Sequence, residues 1–71
     1  LFETVLISAN DELVNLYIKN KIKYLEINKN LIKILKFKKY SRLINKKPKN
    51  ISDIINLSED VRLKTKNLCI E

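Results

Sequence analysis

Few side chains in this sequence could carry out chemistry, and their spacing does not favour an active site. The candidates for metal binding or acid–base catalysis are two pairs of adjacent carboxylates, Asp11–Glu12 and Glu59–Asp60. Adjacent residues of a helix point in different directions, and negative charge near a helix N-terminus is stabilised by the helix dipole. The sequence lacks histidine, and its only cysteine, Cys69, is interpreted as a packed apolar side chain. We therefore predict no catalytic, cofactor-binding or metal-binding residue in this chain.

The second candidate is a basic stretch without acidic residues between Ile27 and Ser52. Its nine basic residues are Lys29, Lys33, Lys36, Lys38, Lys39, Arg42, Lys46, Lys47 and Lys49. With a formal net charge of +7 and the aromatic Tyr24, Phe37 and Tyr40 nearby, it suggests nucleic-acid binding through phosphate neutralisation and base stacking. Arginine, which binds phosphate better, is scarce. A composition rich in Ile, Leu, Lys and Asn also indicates drift towards A/T-rich codons, so we favour a solvated surface.

Length and composition indicate one small domain. A chain of 71 residues buries only about 60% of the surface that its unfolded form exposes. No apolar run approaches the roughly 20 residues that span a bilayer, and the features of a signal peptide are absent. The chain opens on Leu1–Phe2 rather than on methionine, which we interpret as a start inside a longer polypeptide. We therefore expect residues 1–71 to form one helical domain of a larger protein, without membrane contact.

The spacing of apolar residues predicts helices throughout. A first helix is predicted at about Ile7–Asn20, because apolar residues recur there at intervals of three and four. In the connector that follows, Ile22 and Tyr24 are expected to insert into the core. A second helix is predicted at about Glu26–Lys39. The residues predicted to face inward are Leu6, Ala9, Leu13, Val14, Leu16 and Tyr17 in the first helix, and Ile27, Leu31, Ile34 and Leu35 in the second.

A basic loop is predicted at residues 41–50, since Pro48 lacks a donor N–H and restricts the residue before it. Asn50 is expected to cap a third, short helix, with Asp53 in a capping-box-like position. Ser58 is expected to be the N-cap of a last short helix. The predicted fold class is therefore all-α, a small bundle of about four helices, two longer and two short. The core candidates are Ile51, Ile54, Ile55 and Leu57 in the third helix, and Val61, Thr65, Leu68 and Cys69 in the fourth.

The order of several short motifs resembles that of a known family. The run Leu6-Ile-Ser-Ala-Asn-Asp-Glu-Leu-Val14 is followed by Tyr17-Ile18, by Ile22-Lys-Tyr-Leu-Glu-Ile27, and later by Ser52-Asp-Ile-Ile-Asn-Leu-Ser58 with Val61-Arg62. These stretches resemble segments of the C-terminal helical domain of 1-deoxy-D-xylulose 5-phosphate reductoisomerase, which include Leu-Asn-Ala-Ala-Asn-Glu and Ile-x-Phe-x-Asp-Ile. Departures fall at Ile7, Leu25 and the lysine-rich loop. The matching residues are Leu6, Ala9, Asn10, Val14, Ile22 and Ile27.

The resemblance implies that the chain is the C-terminal domain of a larger α/β enzyme of non-mevalonate isoprenoid biosynthesis. That family rearranges 1-deoxy-D-xylulose 5-phosphate and reduces the product with NADPH to 2-C-methyl-D-erythritol 4-phosphate, using Mg²⁺ or Mn²⁺. Its cofactor and metal sites would lie upstream, so this chain would pack on the catalytic domain of the same polypeptide, in a homodimer. A plastid-type organelle is the favoured compartment, with the bacterial cytoplasm as the alternative. A nucleic-acid-binding module and a self-associating helical unit are the alternative functions.

Overall fold

Four helices make up the part of the chain that the computed structural model describes, residues 1–43 and 46–70. They are α1 (Phe2–Ile18), α2 (Tyr24–Leu35), α3 (Lys38–Ser41) and α4 (Ile51–Ile70). No strand occurs among these residues, so the predicted all-α class is confirmed. The lengths differ from the prediction, because α1 and α4 are the long helices, α2 is intermediate and α3 is a single turn.

The turn between α1 and α2 differs from the predicted connector. Asn20 adopts a positive φ of 60°, a conformation that asparagine tolerates better than most residues. This turn brings Ile22 into the core, as predicted. Tyr24 was expected to enter the core as well, but that expectation is wrong, since 64% of its surface is exposed. It begins α2 instead, because the Glu26 side chain accepts a hydrogen bond of 2.8 Å from the Lys23 N–H and satisfies one of the free donors of the first turn.

The predicted second helix is interrupted near its C-terminus. α2 ends at Leu35, and Phe37 takes an extended conformation before the single turn of α3. The interruption redirects the chain so that Tyr40, whose place the sequence does not indicate, becomes fully buried. Within the predicted loop at residues 41–50, Ser41 belongs to α3 and residues 46–50 are not helical, whereas Ile44 and Asn45 lie outside the described residues.

α4 is one continuous helix where two short helices were predicted. The predicted cap is confirmed at its start, where the Asn50 side chain accepts a hydrogen bond of 3.0 Å from the Asp53 N–H. Ser58 does not cap a helix, contrary to the prediction, because it lies within α4 and its hydroxyl bonds to Ser8. Neither glycine nor proline occurs between residues 51 and 70, so nothing in the local chemistry ends the helix.

α1 is the central helix of the bundle and contributes to both clusters of buried residues. α1 and α4 run parallel, because Ser8 pairs with Ser58 and Asp11 pairs with Arg62 farther along both helices. The short turn at residues 19–23 makes α2 antiparallel to α1. The first buried cluster consists of Val5, Ala9, Ile34, Tyr40 and Val61, and the second of Leu13, Leu16 and Ile22.

Most predicted core residues are buried or partly buried, but five of them, besides Tyr24, are exposed. Contrary to the prediction, the exposed residues are Val14 and Tyr17 of α1, and Ile51, Ile54 and Ile55 of α4. Val14 lies on the side of α1 that faces away from the core, and no other described helix covers the five exposed positions. Thr65 is buried as predicted, and its hydroxyl donates a hydrogen bond of 2.7 Å to the Val61 carbonyl, which satisfies its polar group.

Candidate docking surface

α1 carries apolar residues on two opposite sides. Its core side is covered by α2 and α4, while Ile7, Val14 and Ile18 lie on the other side, with 57%, 38% and 70% of their surface exposed. Their spacing of seven and four residues places them along one line of the helix. We call these three residues the outer stripe. The apolar periodicity of α1 did not predict this stripe and placed Val14 on the core side, although the spacing of the three residues was a signal for it.

An apolar groove adjoins the outer stripe where α1 ends and α2 begins. The groove has a volume of about 570 Å³, and its aromatic wall is formed by Tyr17 and Tyr24, whose rings meet edge to face with centroids 5.8 Å apart. Leu25 projects beside them and is largely exposed. Such a concave apolar surface suits a bulky apolar side chain. The residues that line the groove are Val14, Tyr17, Tyr24, Leu25, Ile27 and Asn28.

The other end of the outer stripe meets the first turns of α4. Ile7 shares a shallow depression with Ile54 and Arg62. Arg62 forms an ion pair of 3.3 Å with Asp11, and both side chains are partly exposed, so the pair contributes little to stability. The stripe therefore adjoins an apolar groove at its α2 end, whereas at its α4 end Ile54 is the apolar neighbour in a depression lined mainly by polar residues.

Hydrogen bonds and an ion pair among Lys39, Tyr40 and Asp60 connect α3 to α4. The Tyr40 hydroxyl donates a hydrogen bond of 2.9 Å to Asp60 Oδ2, which also receives Lys39 Nζ at 2.9 Å. Burial, followed by the hydrogen bond to Asp60 and its negative charge, raises the pKa of Tyr40 above its ordinary value of 10.0. The hydrogen bond from Lys39 is the main cause that lowers the pKa of Asp60, and desolvation opposes it. Tyr40 therefore stays protonated at neutral pH, which suits a structural donor rather than an acid–base catalyst.

Replacing Asp60 with asparagine is expected to destabilise the α3–α4 contact by about 1 kcal/mol at neutral pH. Because the folded-state pKa of Asp60 is lowered, its contribution is present above the ordinary value of 3.8 and is lost as the pH falls through the folded-state value. Amide hydrogen exchange of α4 in the intact protein, corrected for intrinsic rates, measures this effect. Glu59→Gln is the control and should change stability by less than about 0.5 kcal/mol. If Asp60→Asn lowered the stability equally at every pH, the result would contradict a stabilising role of the ionised Asp60 carboxylate.

The acidic pairs singled out in the sequence do not come together. Asp11 pairs with Arg62, and Asp60 pairs with Lys39 and Tyr40. Among residues 1–43 and 46–70, no group of three or more histidine, cysteine, aspartate or glutamate side chains could hold a metal ion. Cys69 packs against the second buried cluster, and burial raises the pKa of its thiol.

The basic residues are spread over α2, α3, α4, the turn at residues 19–23 and the loop. Those of the predicted basic stretch are exposed. Within the part of the chain that the structure describes, Lys39 binds Asp60, and Lys64 lies 5.8 Å from the centre of the Phe37 ring. No helix in the described part of the chain is long and apolar enough to cross a membrane.

Comparison with known proteins gives two matches. A family described as the DXP reductoisomerase C-terminal domain matches residues 1–64, which include α1, α2, α3 and most of α4. A 1-deoxy-D-xylulose 5-phosphate reductoisomerase from Pelagibacter ubique (strain HTCC1062) is 43% identical over 70 residues, which are 99% of this chain and 18% of the relative. No solved structure matches the chain significantly.

The matches agree with the resemblance found in the sequence motifs. Neither match supports the nucleic-acid alternative. The family match covers far more than half of the chain, and the identity to the relative extends over nearly all of it. This chain therefore belongs to the DXP reductoisomerase C-terminal domain family.

Proposed function

We propose that residues 1–71 form the C-terminal helical domain of a 1-deoxy-D-xylulose 5-phosphate reductoisomerase and support its catalytic region. The observation that carries the proposal is the family match over residues 1–64. The relative from Pelagibacter ubique supports it, because this chain corresponds to only 18% of that protein's length. A unit of this size would act as one part of a longer enzyme.

The intact enzyme would rearrange 1-deoxy-D-xylulose 5-phosphate and reduce the product with NADPH to 2-C-methyl-D-erythritol 4-phosphate, with Mg²⁺ or Mn²⁺ bound. The described residues of this chain do not fit these groups. The described residues provide no cluster of metal ligands, and the sequence contains no glycine from which a glycine-rich nucleotide-binding turn could be built. We therefore place the NADPH and metal sites outside residues 1–71, and no catalytic residue within them.

The role that the geometry supports is mechanical. Helices α1, α2 and α4 form a small core, and apolar side chains of α1 and α2 stay exposed where the catalytic region of the same polypeptide could cover them. Full burial of one large apolar side chain contributes roughly 1.5–3 kcal/mol, so a few of them would hold the two regions together.

The resemblance to the family, rather than the geometry, suggests how the intact enzyme assembles and where it works. We propose a homodimer joined through regions outside this chain. The compartment is either a plastid-type organelle, in keeping with the composition, or the bacterial cytoplasm, in keeping with the bacterial relative.

The proposal is tested by NADPH oxidation with 1-deoxy-D-xylulose 5-phosphate and Mg²⁺ or Mn²⁺. The intact protein is expected to turn over, and removal of residues 1–71 is expected to abolish or strongly reduce the rate, because the catalytic region loses its support. Leu63→Ala, an exposed position of α4, is the control and should retain the full rate. Absence of turnover by a folded intact protein would contradict the enzyme assignment, whereas undiminished turnover after truncation would contradict the supporting role only.

A further inference from the structure

The charge distribution sets α1 apart from the other helices. None of the 15 basic residues of the chain lies in Phe2–Ile18, so every lysine and arginine follows α1. The solvated sides of α2 and α4 carry lysine, as at Lys29 and Lys33 in α2 and at Lys64 and Lys66 in α4. In a sequence this rich in lysine, a helix side without it differs in composition from the sides that face water.

The outer stripe has the composition of a buried helix side. Ile7, Val14 and Ile18 are large aliphatic residues, and they lie opposite the core side of the same helix. A helix that is apolar on two opposite sides is typical of the interior of a larger protein, where neighbours cover both sides. Single exposed apolar residues need no explanation, but an aligned set flanked by an apolar groove indicates an interaction surface.

The shape of the outer stripe suits another helix. From Ile7 to Ile18 the stripe rises eleven residues, or about 16 Å along the axis, which is three helical turns. Residues at i, i+7 and i+11 follow one side of a helix, and Asp11, which lies on the same side, has its carboxylate paired with Arg62. The groove beside Tyr24 and Leu25 adds a place for a larger side chain at one end.

We propose that the outer stripe of α1 is the docking surface for an apolar helix of the same polypeptide, contributed by the region that precedes Leu1. This inference rests on the proposed function, which places the chain in the C-terminal domain of a longer protein. The relative is more than five times as long as the match, so ample polypeptide exists outside this chain to supply the helix. A second copy is the weaker occupant, because association would bring together two chains of net charge +7.

The test uses the intact protein with a cysteine at one stripe position, Val14→Cys or Ile18→Cys, and Leu63→Cys as the matched control. Leu63 is a large aliphatic residue on the solvated side of α4, with 59% of its surface exposed. Labelling with a maleimide, measured peptide by peptide, is expected to be about tenfold slower at the stripe than at position 63, since a docked helix must open first. The labelling rate of Cys69 in the same sample reports whether the variant is folded. If a stripe variant does not fold, Ile7→Cys is used in its place.

The occupant is identified by a photoreactive cross-linking side chain at position 18. A cross-link to a peptide that precedes Leu1 in the same molecule is the expected result. A cross-link between two copies, or labelling as fast as at position 63 in a folded variant, would overturn the inference. The NADPH oxidation rate of the same samples separates the two proposals, because turnover with a freely labelled stripe contradicts the docking surface and leaves the enzyme assignment intact.

Discussion

Replacing Leu13 with alanine is expected to destabilise the bundle by about 2–5 kcal/mol. Leu13 is 0% exposed and packs with Leu16 and Ile22, so its truncation removes apolar contacts from α1 and the turn at once. A core this small has few neighbouring side chains that could move to fill the cavity. In amide hydrogen exchange of the intact protein, α1 and α4 should therefore exchange roughly thirtyfold faster or more, since each factor of ten corresponds to about 1.4 kcal/mol.

Leu63→Ala is the matched control for this loss. The same side-chain atoms are removed from a position whose outward side faces solvent, so the free energy of unfolding should change by at most about 0.5 kcal/mol, or roughly twofold in the exchange rates of α1 and α4. Equal effects of the two substitutions would contradict the arrangement of the core, in which α1 is the helix common to both clusters.

Replacing Glu59 with proline is expected to lower the free energy of unfolding by about 3 kcal/mol or more. In the structure, Glu59 lies in the interior of α4, where proline removes the hydrogen bond from its N–H to the Ile55 carbonyl and clashes with that turn. If Ser58 capped a separate helix, Glu59 would be the first helical residue, and proline would be tolerated there. The expected loss of protection throughout α4, measured by hydrogen exchange in the intact protein, therefore decides between one helix and two.

Ile51→Pro is the control for the proline substitution. Ile51 follows the capping residue Asn50 and is the first residue of α4, so its N–H has no partner within the helix. Protection in α4 should be preserved in this variant. Tolerance of Glu59→Pro, with exchange rates like those of Ile51→Pro, would show that α4 is not continuous through Ser58.

Local chemistry was sufficient to predict several parts of the fold. The all-α class follows from apolar residues at helical intervals, and the start of α4 follows from Asn50, whose side chain bonds within three residues of itself. Residues in the middle of an apolar side, such as Leu13, Ile34 and Val61, were predicted correctly because any inward orientation of their helix buries them.

The errors fall where a distant residue changes the local outcome. Ser58 has the chemistry of an N-cap, yet Ser8 of α1 supplies a hydrogen-bond partner at 2.8 Å, and the helix continues. Tyr40 is buried because Asp60, 20 residues away in sequence, accepts its hydroxyl proton in a hydrogen bond. Neither partner is adjacent in sequence, so no local pattern could indicate it.

For the candidate docking surface as well, some features follow from the sequence and others only from the tertiary structure. The sequence by itself determined that the chain is helical, that its motifs resemble one enzyme family, and that α1 is rich in apolar residues. Only the tertiary structure decided which apolar side of α1 is covered by α2 and α4 and which remains outside. The physical reason is that helix formation depends on neighbouring residues, whereas burial depends on which other helices pack against each side.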